Sequence, residues 1–177
     1  LATLLGPTYH IIEEGMSGRT TLWEDPMEGY TCGRDYLIPC LKSHKPLDWV
    51  ILMLGTNDLQ RKYRLSAREI ADGVGVLVKL ILQSECGPDG VAPQVLVVCP
   101  PPLGALQGFF VDLFAGASQT SQQLAREYAR IAQLYHVPFL EAGQVAHFSL
   151  LDGLHLEAPQ HETLARAIAA LLLQEAR

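Results

Sequence analysis

Apolar runs and amphipathic stretches alternate along the chain. Trp49-Val50-Ile51-Leu52-Met53-Leu54 is continuously apolar and closed by Gly55, and Val95-Leu96-Val97-Val98-Cys99 repeats the pattern before Pro100-Pro101-Pro102. Runs of this length without polar alternation predict strands covered on both faces, as in a parallel sheet. Tyr9-His10-Ile11-Ile12-Glu13-Glu14 and Val137-Pro138-Phe139-Leu140 are shorter strand candidates, the latter ended by Gly143. Between the runs the period changes to that of a helix. Ser66 and Glu69 form a capping-box pattern ahead of Ile70, Val74, Leu77, Val78 and Ile81, with Gly87-Pro88 as the stop. Leu124, Tyr128, Ile131 and Tyr135 make a second apolar stripe. Leu164, Ile168, Leu171 and Leu172 make a third, entered through Pro159, a residue tolerated in a first helical turn. Residues 15–48 read as a long loop, and Leu1-Ala-Thr-Leu-Leu-Gly-Pro reads as the end of an apolar helix turning into a loop.

Strands alternating with helices predict an α/β domain: a three-layer α/β/α sandwich around a parallel sheet, one domain over residues 1–177. In such folds ligands sit at the carboxyl ends of the strands. Three segments fall in loops there or close by. These are Glu14-Gly15-Met16-Ser17-Gly18-Arg19-Thr20-Thr21, Gly55-Thr56-Asn57-Asp58 and Asp152-Gly153-Leu154-His155-Leu156.

The last suggests acid–base chemistry. Histidine titrates near neutrality, and a carboxylate three residues earlier, across a tight turn, can hold Nδ1 of His155 and leave Nε2 free. The plain alternative is a turn-capping Asp152 beside a surface histidine. Asn57 can donate its amide to a developing oxyanion, or simply make a turn. Gly18 can offer a backbone N–H where no side chain blocks approach, or again serve a turn. Arg19 reads as a residue that holds its loop.

Taken together, the three segments resemble the SGNH (GDSL-like) hydrolases, a family of esterases, lipases and acyltransferases. Gly18 matches the glycine of its second block, Gly55-Thr56-Asn57-Asp58 the whole third block, and Asp152-Gly153-Leu154-His155 the last. The stretch Glu13–Thr21 and Pro100-Pro101-Pro102-Leu103 are similar to the arylesterase/acyltransferase branch. The resemblance covers almost the whole chain. It implies a flavodoxin-like sheet and a Ser-His-Asp triad with His155 and Asp152. Gly18 and Asn57 would be the oxyanion donors, the substrate a small ester of short acyl chain, and no cofactor or metal would be needed. The branch it resembles is oligomeric, which implies a homo-oligomer.

The chain departs from the family pattern in one respect: it contains no Gly-Asp-Ser. The resemblance places that nucleophile block, and the strand leading to it, upstream of Leu1. Ser17 is out of register with a G-x-S-x-G elbow because Arg19 stands where the last glycine belongs. Ser149 is close to His155 in sequence, but proximity of that kind is no geometric argument for a nucleophile. The family's sheet order, 2-1-3-4-5, puts the missing strand between Tyr9–Glu14 and Trp49–Leu54. The expectation is a slot of roughly 10 Å there, from two strand spacings, or a sheet rebuilt by collapse or exchange. By the same reading this chain alone is inactive or nearly so. Leu103, Phe109, Phe110 and Phe114 are candidates for an acyl pocket or a subunit contact, with core packing as the alternative.

Composition narrows the field. Thirteen basic against nineteen acidic residues give a net charge of -6, which argues against a nucleic-acid partner. No apolar stretch reaches the roughly 18–20 residues of a membrane span. Cys32, Cys40, Cys86 and Cys99 contain no C-x-x-C pair, and a reduced, cytoplasmic setting suits them. His155, His161 and Glu162 do not fit H-E-x-x-H, so no zinc site is expected. Neither G-x-x-x-x-G-K-[ST] nor G-x-G-x-x-G occurs, which sets aside a nucleotide-binding domain. The rival reading is a non-catalytic SGNH-like module that binds an acylated or sugar ligand without turning it over.

Overall fold

A computed structural model describes residues 1–175. Its elements in chain order are α1 (Ala2–Leu5), α2 (Gly33–His44), β1 (Trp49–Leu52), α3 (Ala67–Leu82), β2 (Gln94–Cys99), α4 (Phe110–Leu113), α5 (Ser118–Tyr135), β3 (Phe139–Glu141) and α6 (Ala158–Glu175). The three strands form a parallel sheet in the order β1-β2-β3, with Val50 opposite Val95 and Val98 opposite Leu140.

The central strand shows why the apolar runs are unbroken. Successive side chains on a strand point to opposite faces. Val95, Val97 and Cys99 enter a core shared with Ile70, Val74 and Leu77 of α3 and Leu124, Tyr128 and Ile131 of α5. Leu96 and Val98 enter a second core with Leu5 of α1 and Leu164, Ile168 and Leu172 of α6. Helices therefore cover both faces, giving the α/β/α layering that the alternation of elements predicts. α3 begins as its capping box requires: the Ser66 hydroxyl accepts from the Glu69 N–H, and Glu69 returns a carboxylate to the Ser66 N–H at 2.8 Å.

Element ends differ from the sequence reading for identifiable reasons. β1 stops at Leu52 rather than Leu54, and the Leu54 carbonyl is taken by the Tyr128 hydroxyl at 2.6 Å. β3 starts at Phe139 because Val137 turns its N–H back to Ala132 at the end of α5 and Pro138 has none to give. α3 ends at Leu82, before Gly87-Pro88.

Two readings are corrected. Residues 33–44, read as part of a long loop, form α2. Pro39 interrupts the stretch in sequence, and its apolar residues Leu37, Ile38 and Leu41 make too narrow a stripe to stand out. Tyr9–Glu14 is not a strand. A strand needs a ladder partner, and among the described residues neither this segment nor the outer edge of β1 has one. The sheet is not rebuilt by collapse: Tyr9 and Ile11 pack against the α6-side core instead of pairing with β1.

Candidate active site

The loop after β1 is anchored by its aspartate. Asp58 has 0% exposure. Its carboxylate accepts the Thr21 N–H at 3.0 Å and the Thr21 hydroxyl at 2.5 Å. Burial pushes its pKa up to about 6, the two Thr21 donors offsetting only part of the desolvation. Its neighbour Asn57 donates one amide hydrogen to the Arg19 carbonyl at 3.0 Å, while Asn57 Oδ1 faces Gln60 Nε2 at 3.5 Å. One hydrogen is thereby held and the other left available. Asn57 and Asp58 together grip the Met16–Thr21 segment at Arg19 and at Thr21. Gly18 occupies the tip of its turn, with φ +77° and the Arg19 N–H bonded to Met16 O at 3.3 Å.

Asp152 and His155 occupy the turn before α6. Asp152 Oδ1 accepts the N–H groups of Leu154 (2.8 Å) and His155 (3.0 Å), and Oδ2 lies 2.7 Å from His155 Nδ1. Burial alone would raise the Asp152 pKa, but the donors from His155 and Leu154 outweigh it, and the carboxyl sits below its ordinary range. The His155 side chain is 64% exposed. The turn is docked by its backbone: Gly104 donates to Gly153 O at 2.8 Å and Gln107 to Asp152 O at 3.2 Å. Gly153 has φ +76°, and a Cβ there would stand 2.7 Å from the Ala105 carbonyl, so this approach requires glycine.

The segments are linked through α4. Arg61 donates to the Leu113 carbonyl at 2.8 Å, and Phe110 meets the His155 ring edge-on at a centroid distance of 5.6 Å. Contacts therefore run from the Gly18 turn through the Asn57 loop and α4 to His155. The four apolar candidates separate. Leu103 and Phe114 are buried core residues; Phe110 is half-buried beside His155, and Phe109 is 67% exposed. Core packing thus accounts for two of them. A cleft of about 240 Å³ lined by Gln60, Arg61, Arg64 and Thr120 contains none of Gly18, Asn57 or His155.

Two features were not read from the sequence: the Asp58–Thr21 clamp and the Phe110–His155 edge contact. Asp58 stands next to a singled-out residue, so its neighbourhood was visible, but its partner lies 37 positions away.

The family model of GDSL-like lipases and acylhydrolases matches residues 1–163. The chain belongs to the GDSL-like lipase/acylhydrolase family. Solved structures agree with this family assignment. The inhibitor-bound aryl esterase from M. smegmatis is 41% identical, with a TM-score of 0.93 over 98% of this chain and 82% of its own. A carbohydrate acetylesterase from Sinorhizobium meliloti is also 41% identical, with a TM-score of 0.94 and the same coverage. A second carbohydrate acetylesterase family member from that organism is 32% identical, with a TM-score of 0.90 over 96% of this chain and 81% of its own. No curated protein matches. Among the described residues no helix is long and apolar enough to cross a membrane.

Proposed function

We propose that this GDSL-like chain carries the acid–base and oxyanion-binding parts of a serine esterase acting on short-chain carboxylic esters, aryl or acetyl esters among them. The observation that supports it most directly is the 2.7 Å contact between Asp152 Oδ2 and His155 Nδ1. It holds the ring tautomer with the proton on Nδ1 and leaves Nε2 to take a proton from an attacking hydroxyl. The ring exposure and the Phe110 edge contact are compatible with an ester seated against His155.

In this mechanism a serine hydroxyl attacks the ester carbonyl as His155 Nε2 accepts its proton. The second amide hydrogen of Asn57 and the Gly18 N–H stabilise the oxyanion. His155 then protonates the departing alcohol, and water, or another alcohol, releases the acyl group. Asp152 keeps its charge throughout and steadies the imidazolium.

The attacking serine is none of the seven in this sequence. Ser66 caps α3, and Ser84, Ser121 and Ser149 are buried. Ser43 and Ser118 lie on α2 and α5, and Ser17 belongs to the turn that presents Gly18. The reading places the nucleophile in residues preceding Leu1. The 177-residue chain is expected to show no turnover of p-nitrophenyl acetate. The chain extended to carry a Gly-Asp-Ser block is expected to show turnover that His155→Ala lowers by about 10⁴–10⁶-fold. Turnover by the 177-residue chain that His155→Ala abolishes would overturn the placement of the nucleophile. Full activity in the extended His155→Ala variant would overturn the mechanism.

A further inference from the structure

Cys40 and His44 are four residues apart on α2, so their side chains emerge from the same face. Glu14 meets that face, its Oε1 lying 2.7 Å from His44 Nε2. A thiol sulfur, an imidazole nitrogen and a carboxylate oxygen thus stand within 4.8 Å of one another. Tyr36, a turn earlier on α2, donates its hydroxyl to the other oxygen of Glu14.

We infer that Glu14, Cys40 and His44 form a binding site for a divalent cation of the zinc class, with a fourth position left for water. Mixed thiolate, imidazole and carboxylate donors suit such a cation, and three protein ligands with one open position are an ordinary zinc set. Metal–ligand bonds of about 2.0–2.3 Å place donor atoms about 3.3–3.8 Å apart. The Glu14–His44 contact must therefore open slightly and the Cys40 sulfur must close, which side-chain rotation supplies. Tyr36 is the kind of outer partner that holds a ligating carboxylate in orientation.

On binding, the Cys40 thiol releases its proton to solvent and a sulfur–metal bond forms, with no change of oxidation state. Arg19 opposes binding: its guanidinium lies 3.8 Å from the Tyr36 ring centroid. Two anionic ligands, the carboxylate and the thiolate, outweigh that charge. An ion pair accounts for Glu14 and His44, and the Cys40 sulfur, within reach of the Tyr36 hydroxyl, adds the third donor. The expectation of no metal came from the ester mechanism that the resemblance implies and from the missing H-E-x-x-H spacing, neither of which bears on this cluster. The inference does not depend on the ester chemistry.

Cobalt(II) titrated into the metal-free protein reports the site directly. A near-ultraviolet thiolate-to-cobalt band is expected, and added zinc should bleach it. Cys40→Ser should remove the band, and His44→Gln should raise the cobalt Kd at least 10-fold. Exposed histidines elsewhere bind cobalt without a thiolate band. The unsubstituted protein gives an independent reading. Cys32, Cys86 and Cys99 are buried and Cys40 half-buried, so iodoacetamide should label Cys40 first. Zinc should slow that labelling at least 10-fold. Absence of the near-ultraviolet band, an unchanged band in Cys40→Ser, or alkylation indifferent to zinc would each overturn the site.

Discussion

Two aspartates flank the candidate site and are treated in opposite ways. Asp58 is fully enclosed and accepts from a single partner, Thr21, so desolvation dominates and its pKa rises to about 6. Asp152 is only partly covered and accepts two backbone N–H groups beside the imidazole, so the donors win and its pKa falls. One hydroxyl and one N–H do not replace the water lost around an enclosed carboxylate; two N–H groups and an imidazole suffice around a partly hydrated one. The first arrangement fastens loops together. The second keeps a charge where a histidine can use it.

The contrast breaks most severely at Gly55, which leads into the Asp58 loop. It has φ +115°, and a Cβ there would fall 1.9 Å from the Tyr128 hydroxyl. Gly55→Ala should disturb the buried Tyr128–Leu54 hydrogen bond and strain the backbone, costing about 3–4 kcal/mol in urea unfolding. A cost below about 1 kcal/mol would show that the enclosed half yields easily.

The Asp58 charge itself is next in size. Its folded pKa, about 6, lies above the ordinary 3.8, so the fold favours the protonated form. Its contribution is fully present below about pH 4 and is lost as pH rises through 6, a penalty of roughly 3 kcal/mol above that. The stability of the wild type relative to Asp58→Asn should therefore fall between pH 4 and pH 7, read from urea midpoints. A difference that stays flat with pH would remove the asymmetry between the aspartates.

The smallest effect belongs to the exposed half. His155→Ala should cost less than about 1 kcal/mol of stability, because the imidazole is largely solvated and Asp152 keeps both backbone donors. A larger loss in thermal unfolding would mean that His155 supports the fold itself.

Local periodicity was enough for β2, α3, α5 and α6. Their apolar spacing matches a face that is buried, and the Ser66–Glu69 cap is a short-range signal. It was not enough for α2, whose apolar stripe is narrow and crossed by Pro39, nor for Tyr9–Glu14, whose residues suit a strand but find no partner. The site divides in the same way. The Gly18, Asn57 and Asp152–His155 blocks could be picked out as residues, each a short string with a recognisable spacing.

What the amino-acid order determined here is whatever depends on neighbours a few positions apart: helix faces, caps, the apolar runs of the sheet and the turn that joins Asp152 to His155. Only the folded chain decided the rest. It enclosed Asp58 against Thr21 and laid Phe110 against His155. It also took Leu103 and Phe114 into the core and gathered Glu14, Cys40 and His44. These outcomes turn on which distant segments share a volume and how much water they leave behind, and that is a property of packing rather than of spacing.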